Sequence, residues 1–136
     1  MTVREKAWAA GMFESRGSII INKAGDRSFH LRCMLVGIDR RIPEFFQSRW
    51  PGSLTSISRP KGSQAQWKWV VTGSGAAVFL KSISPFFETA QAKAKTAIAL
   101  EFQNLKEIGS DYDSQFSSYK RLGALNDFKR KGSRFS

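Results

Sequence analysis

The chain opens with a helical pattern. From about Thr2 to Ser15 small, helix-compatible residues dominate, and Thr2 followed by Glu5 three positions later forms a capping-box arrangement. Ala7, Gly11 and Ser15 recur every fourth residue and line one helix face with small side chains. A glycine in mid-helix costs ~1 kcal/mol relative to alanine, so Gly11 implies a close neighbour. That neighbour is either the chain's own sheet or a second helix across a dimer axis.

The period then changes to two. Ser18 to Lys23 reads as an isoleucine-rich strand, Gly25-Asp26 as a turn, and Arg27 to Val36 as the returning strand. Phe29, Leu31, Cys33 and Leu35 alternate with Ser28, His30, Arg32 and Met34, so one face meets a core and the other meets water or a ligand. Asp39 is placed to cap a short helix through Phe46, with Pro43 in its first turn. After Pro51-Gly52, Leu54 to Arg59 and Ala65 to Val71 form a second hairpin. Trp67, Trp69 and Val71 there alternate with Gln66, Lys68 and Val70.

Three helices follow. The first, after Gly73, carries Ala76, Phe79, Leu80 and Ile83 at helical spacing and is interrupted by Pro85. The second runs from about Glu88 to Ile108, is expected to bury Ala94, Ala97, Ile98, Phe102 and Leu105, and ends at Gly109. A polar segment from Ser110 to Ser118 leads to a last short helix around Tyr119 to Leu125. The expectation is an α+β fold of order αββαββα with further helices: a four-stranded antiparallel sheet with helices on one face and a polar, basic face on the other. Residues 1–127 form one domain and 128–136 a basic tail.

Charge sharpens this picture. The 136 residues suit one core, and the net charge of +11 argues for a polyanionic partner. Removing Lys129, Arg130, Lys131 and Arg134 in the tail still leaves +7. No acid occurs from Phe45 to Phe87, a span that holds Arg49, Arg59, Lys61, Lys68 and Lys81. A single cysteine, Cys33, and a single histidine, His30, exclude an intramolecular disulfide and a zinc finger. Arg4, Glu5 and Lys6 interrupt any secretory leader pattern, and no apolar run approaches the ~20 residues needed to span a bilayer. The expected location is intracellular (cytoplasm, nucleoid or organelle) with no membrane association and no secretion.

The run Ala9-Ala10-Gly11-Met12-Phe13-Glu14-Ser15-Arg16-Gly17-Ser18-Ile19-Ile20 resembles the signature of the LAGLIDADG homing endonucleases. The resemblance continues through the element order, through Gln66 to Gly73, Phe79 to Phe87 and Ala94 to Phe102, and through Ala124-Leu125-Asn126-Asp127 with the basic stretch behind it. It is that of a single-motif member, and it implies a homodimer paired through the signature helices, with Ala7, Gly11 and Ser15 at the seam. It also implies a saddle-shaped sheet lying on the major groove of duplex DNA.

On that reading, strand parity puts Asn22, Ser28, His30, Arg32, Thr55, Ile57, Arg59, Gln64, Gln66 and Lys68 on the DNA side. Arg suits guanine, and Asn and Gln suit adenine. Lys23, Arg27, Lys61, Lys129, Arg130 and Lys131 are expected to hold phosphates.

The resemblance also locates what is missing. Members hold divalent metal with an acidic residue just before the closing glycine, and here that residue is Arg16. A guanidinium is cationic at any physiological pH and has no lone pair for a metal. The assisting lysine near the start of the long helix falls at Ala90, and a water-positioning polar residue falls near Gly37. Glu14 is the one nearby acid that could stand in, but two residues along a helix turn it ~200° away. The expectation is therefore a sequence-specific DNA-binding protein, catalytically inactive or strongly reduced and needing no cofactor. The alternatives are an active endonuclease, with Mg²⁺ and Glu14, and a maturase of intron RNA.

Overall fold

The computed structural model describes residues 1–25, 27–57 and 65–134, with residues 128–134 described by backbone alone. Its elements are α1 (Val3–Arg16), β1 (Gly17–Ala24), β2 (Ser28–Gly37), α2 (Arg41–Arg49), β3 (Ser53–Ile57), β4 (Gln66–Thr72), α3 (Gly73–Ile83), a 3-10 turn (Ser84–Phe86), α4 (Ala90–Glu107) and α5 (Tyr112–Arg134). The four strands form one antiparallel sheet of order β1-β2-β4-β3. The fold class and element order expected from the sequence both hold.

α1 begins with the expected capping box: the Glu5 amide donates to Thr2 Oγ1 at 3.1 Å, and the Thr2 amide donates to Glu5 Oε1 at 3.0 Å. It passes into β1 with no intervening loop. Gly17 makes this junction possible by size, since a Cβ there would lie 2.2 Å from the Phe13 ring. Phe13 itself is buried, edge-on to Phe79 at 5.0 Å and stacked on Phe87. Around it lie Phe46, Trp50 and Trp69, and ring contacts of 4.9–6.0 Å join all three to Phe79. Each buried aromatic contributes about 1.5–3 kcal/mol by removal from water, so this cluster anchors α1, α2 and α3 to one side of the sheet.

Three expectations are corrected. α2 continues to Arg49 rather than stopping near Phe46, and its first turn is held by Asp39 accepting the Arg41 amide at 3.0 Å. α4 turns a different stripe inward: Ala94 and Ala97 are exposed and Leu105 is only half-buried, while Lys95, Thr96, Ile98, Ala99, Phe102 and Gln103 are buried. Alanines are too small to fix a helix's phase. Thr96 is tolerated inside because its hydroxyl donates to the Ala92 carbonyl at 2.8 Å. The last helix also starts earlier, at Tyr112. The Asp111 carboxylate accepts the Ser114 amide at 2.9 Å, and Tyr112, Phe116 and Tyr119 carry a stripe that packs on Phe29. Among the described residues no helix is long and apolar enough to cross a membrane.

Candidate nucleic-acid interface

Register defines two chemically different sheet faces. The core face carries Ile19, Ile21, Phe29, Leu31, Cys33, Leu35, Trp69 and Val71, all buried; burial pushes the Cys33 thiol pKa up. On the opposite face Asn22 pairs with His30, Ile20 with Arg32, Arg32 with Thr72, Met34 with Val70, and Thr55 with Lys68. Ser28 and Gln66 share this open face by the same parity. Alternation along the sequence groups Asn22, Ser28, His30, Arg32, Thr55, Gln66 and Lys68, and the structure brings them onto one surface. Arg59, Lys61 and Gln64 lie outside the described residues, as do the side chains of Lys129, Arg130 and Lys131.

Charge is sorted with the faces. No described strand residue is acidic: the described carboxylates sit on helices or in the short segments leading into them. Among the described residues Arg32 and Lys68 are the cations of the open face, and the Arg32 Nε is buried without a hydrogen-bond partner. Lys23 lies on the other parity, opposite Phe29, but is exposed because it sits near the hairpin tip; Arg27 is exposed in the turn beside it.

One contributor is not visible in the sequence. β4 pairs with β2 only from Arg32 onward, which leaves the earlier edge of β2 unpaired. Lys106 of α4 covers that edge: its Nζ donates to the Phe29 carbonyl and lies 2.7 Å from His30 Nδ1. Burial lowers the Lys106 pKa. The only sequence signal for this contact is a lysine in a helix's last turn, and that does not reveal a partner 76 residues away.

At the junction of α1 and β1 the arrangement is unlike a metal centre. Arg16 is exposed and makes no hydrogen bond or ion pair among the described residues. As a cation in the last turn it suits the negative end of the helix dipole. Glu14 points elsewhere. Its two oxygens accept the Glu88 and Thr89 amides, both at 2.9 Å, and Thr89 Oγ1 donates at the same distance. Partial burial opposes its charge, but those three donors and nearby Lys93 outweigh it and hold the carboxyl below the ordinary range.

Ala90 is exposed at the first position of α4, immediately beyond this cap. Gly37 is buried at the end of β2 on the core parity, where a Cβ would touch the Asp39 carbonyl and Pro43 at 3.6 Å, so that position does not face outward. Among the described residues no group of three His, Cys, Asp or Glu side chains could hold a metal ion. Neither the cation at Arg16 nor the committed carboxylate of Glu14 fits a Mg²⁺ ligand.

The small-residue stripe of α1 does not pack on the sheet. Ala7, Gly11 and Ser15 are exposed, a Cβ on Gly11 would meet nothing within 4 Å, and Ala9, Ala10 and Phe13 form the buried side. That removes the first of the two explanations for Gly11. Trp8 borders the stripe, 43% exposed and edge-on to Phe45 at 4.9 Å.

This architecture, an α1 helix feeding a four-stranded antiparallel sheet of order β1-β2-β4-β3, is the LAGLIDADG homing-endonuclease fold, and solved structures agree on it. I-CvuI in complex with its target aligns with a TM-score of 0.72 over 91% of this chain and 85% of its own, at 16% identity. The archaeal intron-encoded I-Vdi141I, complexed with DNA, aligns with a TM-score of 0.66 over 94% and 83%, at 15% identity. The LAGLIDADG enzyme I-GzeII, in complex with its DNA target, aligns with a TM-score of 0.59 at 14% identity; 88% of this chain covers only 43% of that one. No family model matches the sequence, and no curated protein matches it.

Proposed function

We propose that this chain is a sequence-specific duplex-DNA-binding protein on a homing-endonuclease scaffold, acting as a homodimer, in which phosphodiester cleavage is lost or strongly reduced. Binding is supported by the sheet face bearing Arg32, His30, Lys68, Asn22 and Gln66, which holds no acid among the described residues, and by the net charge of +11. Pairing through α1 is supported by the exposed stripe Ala7, Gly11 and Ser15, where the absence of side-chain bulk lets two helices approach closely. The chain's near-complete coverage of I-CvuI, against less than half of I-GzeII, fits one copy supplying half of a two-domain surface.

The observation that carries the loss of cleavage is the pair Arg16 and Glu14: a free guanidinium at the end of α1, and the neighbouring carboxylate spent on capping α4. Metal-assisted hydrolysis needs carboxylates to hold cations against the scissile phosphate. A symmetric pair of Arg16 side chains instead presents donors to phosphate oxygens. The alternative of an active endonuclease using Glu14 would require releasing the α4 cap, so it is the weaker reading. The maturase alternative has no observation that favours it over duplex binding.

The test is a plasmid library bearing randomised sites, incubated with Mg²⁺ or Mn²⁺ and the unmodified chain, Arg16→Asp, and Arg16→Asp/Ala90→Lys. We expect binding without nicking by the unmodified chain. Nicking by it would overturn the loss of cleavage, and tighter binding to folded intron RNA than to any selected duplex would overturn the choice of DNA.

A further inference from the structure

The open sheet face is not uniformly polar. Ile20, Met34, Val36 and Val70 share it by register, and Met34 stands directly opposite Val70 across the β2–β4 ladder. All four are partly exposed, and none belongs to the buried core or to the apolar side chains packed against it. Among the described residues the strand positions buried under helices all have the other parity, and α5 borders the open face only at its β1 edge, where Ile20 and Asn22 line a cavity with Tyr119, Lys120 and Gly123. Four apolar side chains thus lie in the middle of the surface that carries Asn22 and His30 towards one hairpin and Gln66 towards the other.

We infer that this strip reads the C5-methyl groups of thymine in the major groove, so that base recognition is apolar in the middle of each half-site and hydrogen-bonded at its ends. The inference deepens the duplex-DNA reading and rests on it. In the major groove the thymine methyl is the apolar group that distinguishes a base edge, and apolar side chains are its partners. Charge complementarity favours DNA as the occupant over an apolar protein surface. Ile20 pairs with the cation Arg32, Val36 pairs with the cation Lys68, and no acid among the described residues shares the face. Those pairings juxtapose a methyl reader with a donor to guanine O6 and N7 on either side of Met34 and Val70. Dimensions agree: strands lie ~4.8 Å apart and alternate residues ~6.7 Å apart, and Val36 lies two such steps along β2 from the level of Ile20, so the strip spans about four base steps of ~3.4 Å.

The test starts from duplexes selected from a random pool by the full chain. Each thymine of the selected site is then replaced by deoxyuridine, which removes only the methyl, and affinity is measured by fluorescence anisotropy. We expect affinity to fall about three- to fourfold per methyl at two or more adjoining positions in each half-site, in line with burial of one methyl-sized group. Val70→Thr keeps side-chain shape and strand preference, and it should abolish the thymine-over-deoxyuridine preference at one of those positions; Met34→Ala should do so at the adjacent one. Both variants are checked for native unfolding midpoints. Undiminished binding of every deoxyuridine site overturns this inference and leaves DNA binding intact. A methyl preference untouched by either variant overturns the assignment to this strip. Failure to select any duplex overturns the DNA reading along with it.

Discussion

Gly17 sits against the face of Phe13 so closely that a single added methyl would lie 2.2 Å from the ring. Phe13 is itself held in ring contact with Phe79 at 5.0 Å and Phe87 at 6.4 Å, so yielding to that methyl would disturb both contacts. Gly17→Ala should therefore destabilise the fold by about 1–3 kcal/mol, the range for overpacking a filled core. Urea unfolding reads this as a lower midpoint with an unchanged slope. Adding Phe13→Leu should recover part of the stability, giving a non-additive double-mutant cycle of the kind expected for touching residues.

The cap that Glu14 places on α4 should also be measurable. Glu14→Gln keeps an acceptor but removes the charge that faces two amides and a hydroxyl, at an expected cost of about 1–2 kcal/mol at pH 7. The folded pKa lies below the unfolded one, so the stabilisation is complete above about pH 4.5 and is lost as the pH falls through the folded value. The gap between wild type and Glu14→Gln should narrow under acid. Glu5, at the other end of α1, is held down to about 2 chiefly by the Thr2 amide and also by Arg49. A gap that stays constant down to pH 3 would show that the Glu14 charge contributes nothing.

At Gly11 monomer and dimer should respond in opposite directions. Among the described residues nothing crowds the position, so Gly11→Ala should stabilise an isolated protomer by up to ~1 kcal/mol through helix propensity. The same change should weaken self-association, and Gly11→Leu should abolish it at micromolar concentration while leaving the far-ultraviolet circular dichroism unchanged. Sedimentation equilibrium distinguishes the cases. An unaltered dimer in Gly11→Leu would move the interface off α1.

The cations should fall into two kinds. Arg32→Ala should cost about 1–3 kcal/mol and relax base preference at one position in each half-site. Lys23→Ala and Arg27→Ala, at the exposed hairpin end, should weaken all duplexes alike. Each phosphate left without its cation should make the salt slope shallower by ~0.9. Binding titrations across 50 to 300 mM salt separate the two behaviours. An Arg32→Ala variant with intact specificity would exclude it from base readout.

Local chemistry makes much of this fold legible. The Thr2–Glu5 box, the glycine closing α1 and the strict alternation from Phe29 to Leu35 each act within a few residues, so they survive in one-dimensional form. The start of α5 is hidden because Asp113, Ser114, Gln115 and Ser117 read as a loop, although Tyr112, Phe116 and Tyr119 are already spaced to meet Phe29. The phase of α4 is hidden by alanines, which suit either side of a helix. The partners of Glu14 and of the Phe29 carbonyl lie more than 70 residues away in the chain, and no periodicity encodes such a pairing. Parity places the polar residues of the open face and Ile57 correctly; it also places Ile20, Met34, Val36 and Val70 there, and those four are overlooked when a base-reading surface is sought mainly among polar side chains.

The loopless passage from α1 into β1 has a geometric consequence. On the proposed dimer, the helix that pairs with its twin and the strand that reads DNA would form one stiff lever, so the two reading surfaces would not slide independently. Inserting one base pair between the half-sites would rotate the second by about 35° relative to the first. With no hinge at Gly17 to absorb that twist, this protein should tolerate a single centre-to-centre spacing and reject its neighbours, even when every recognised base is present.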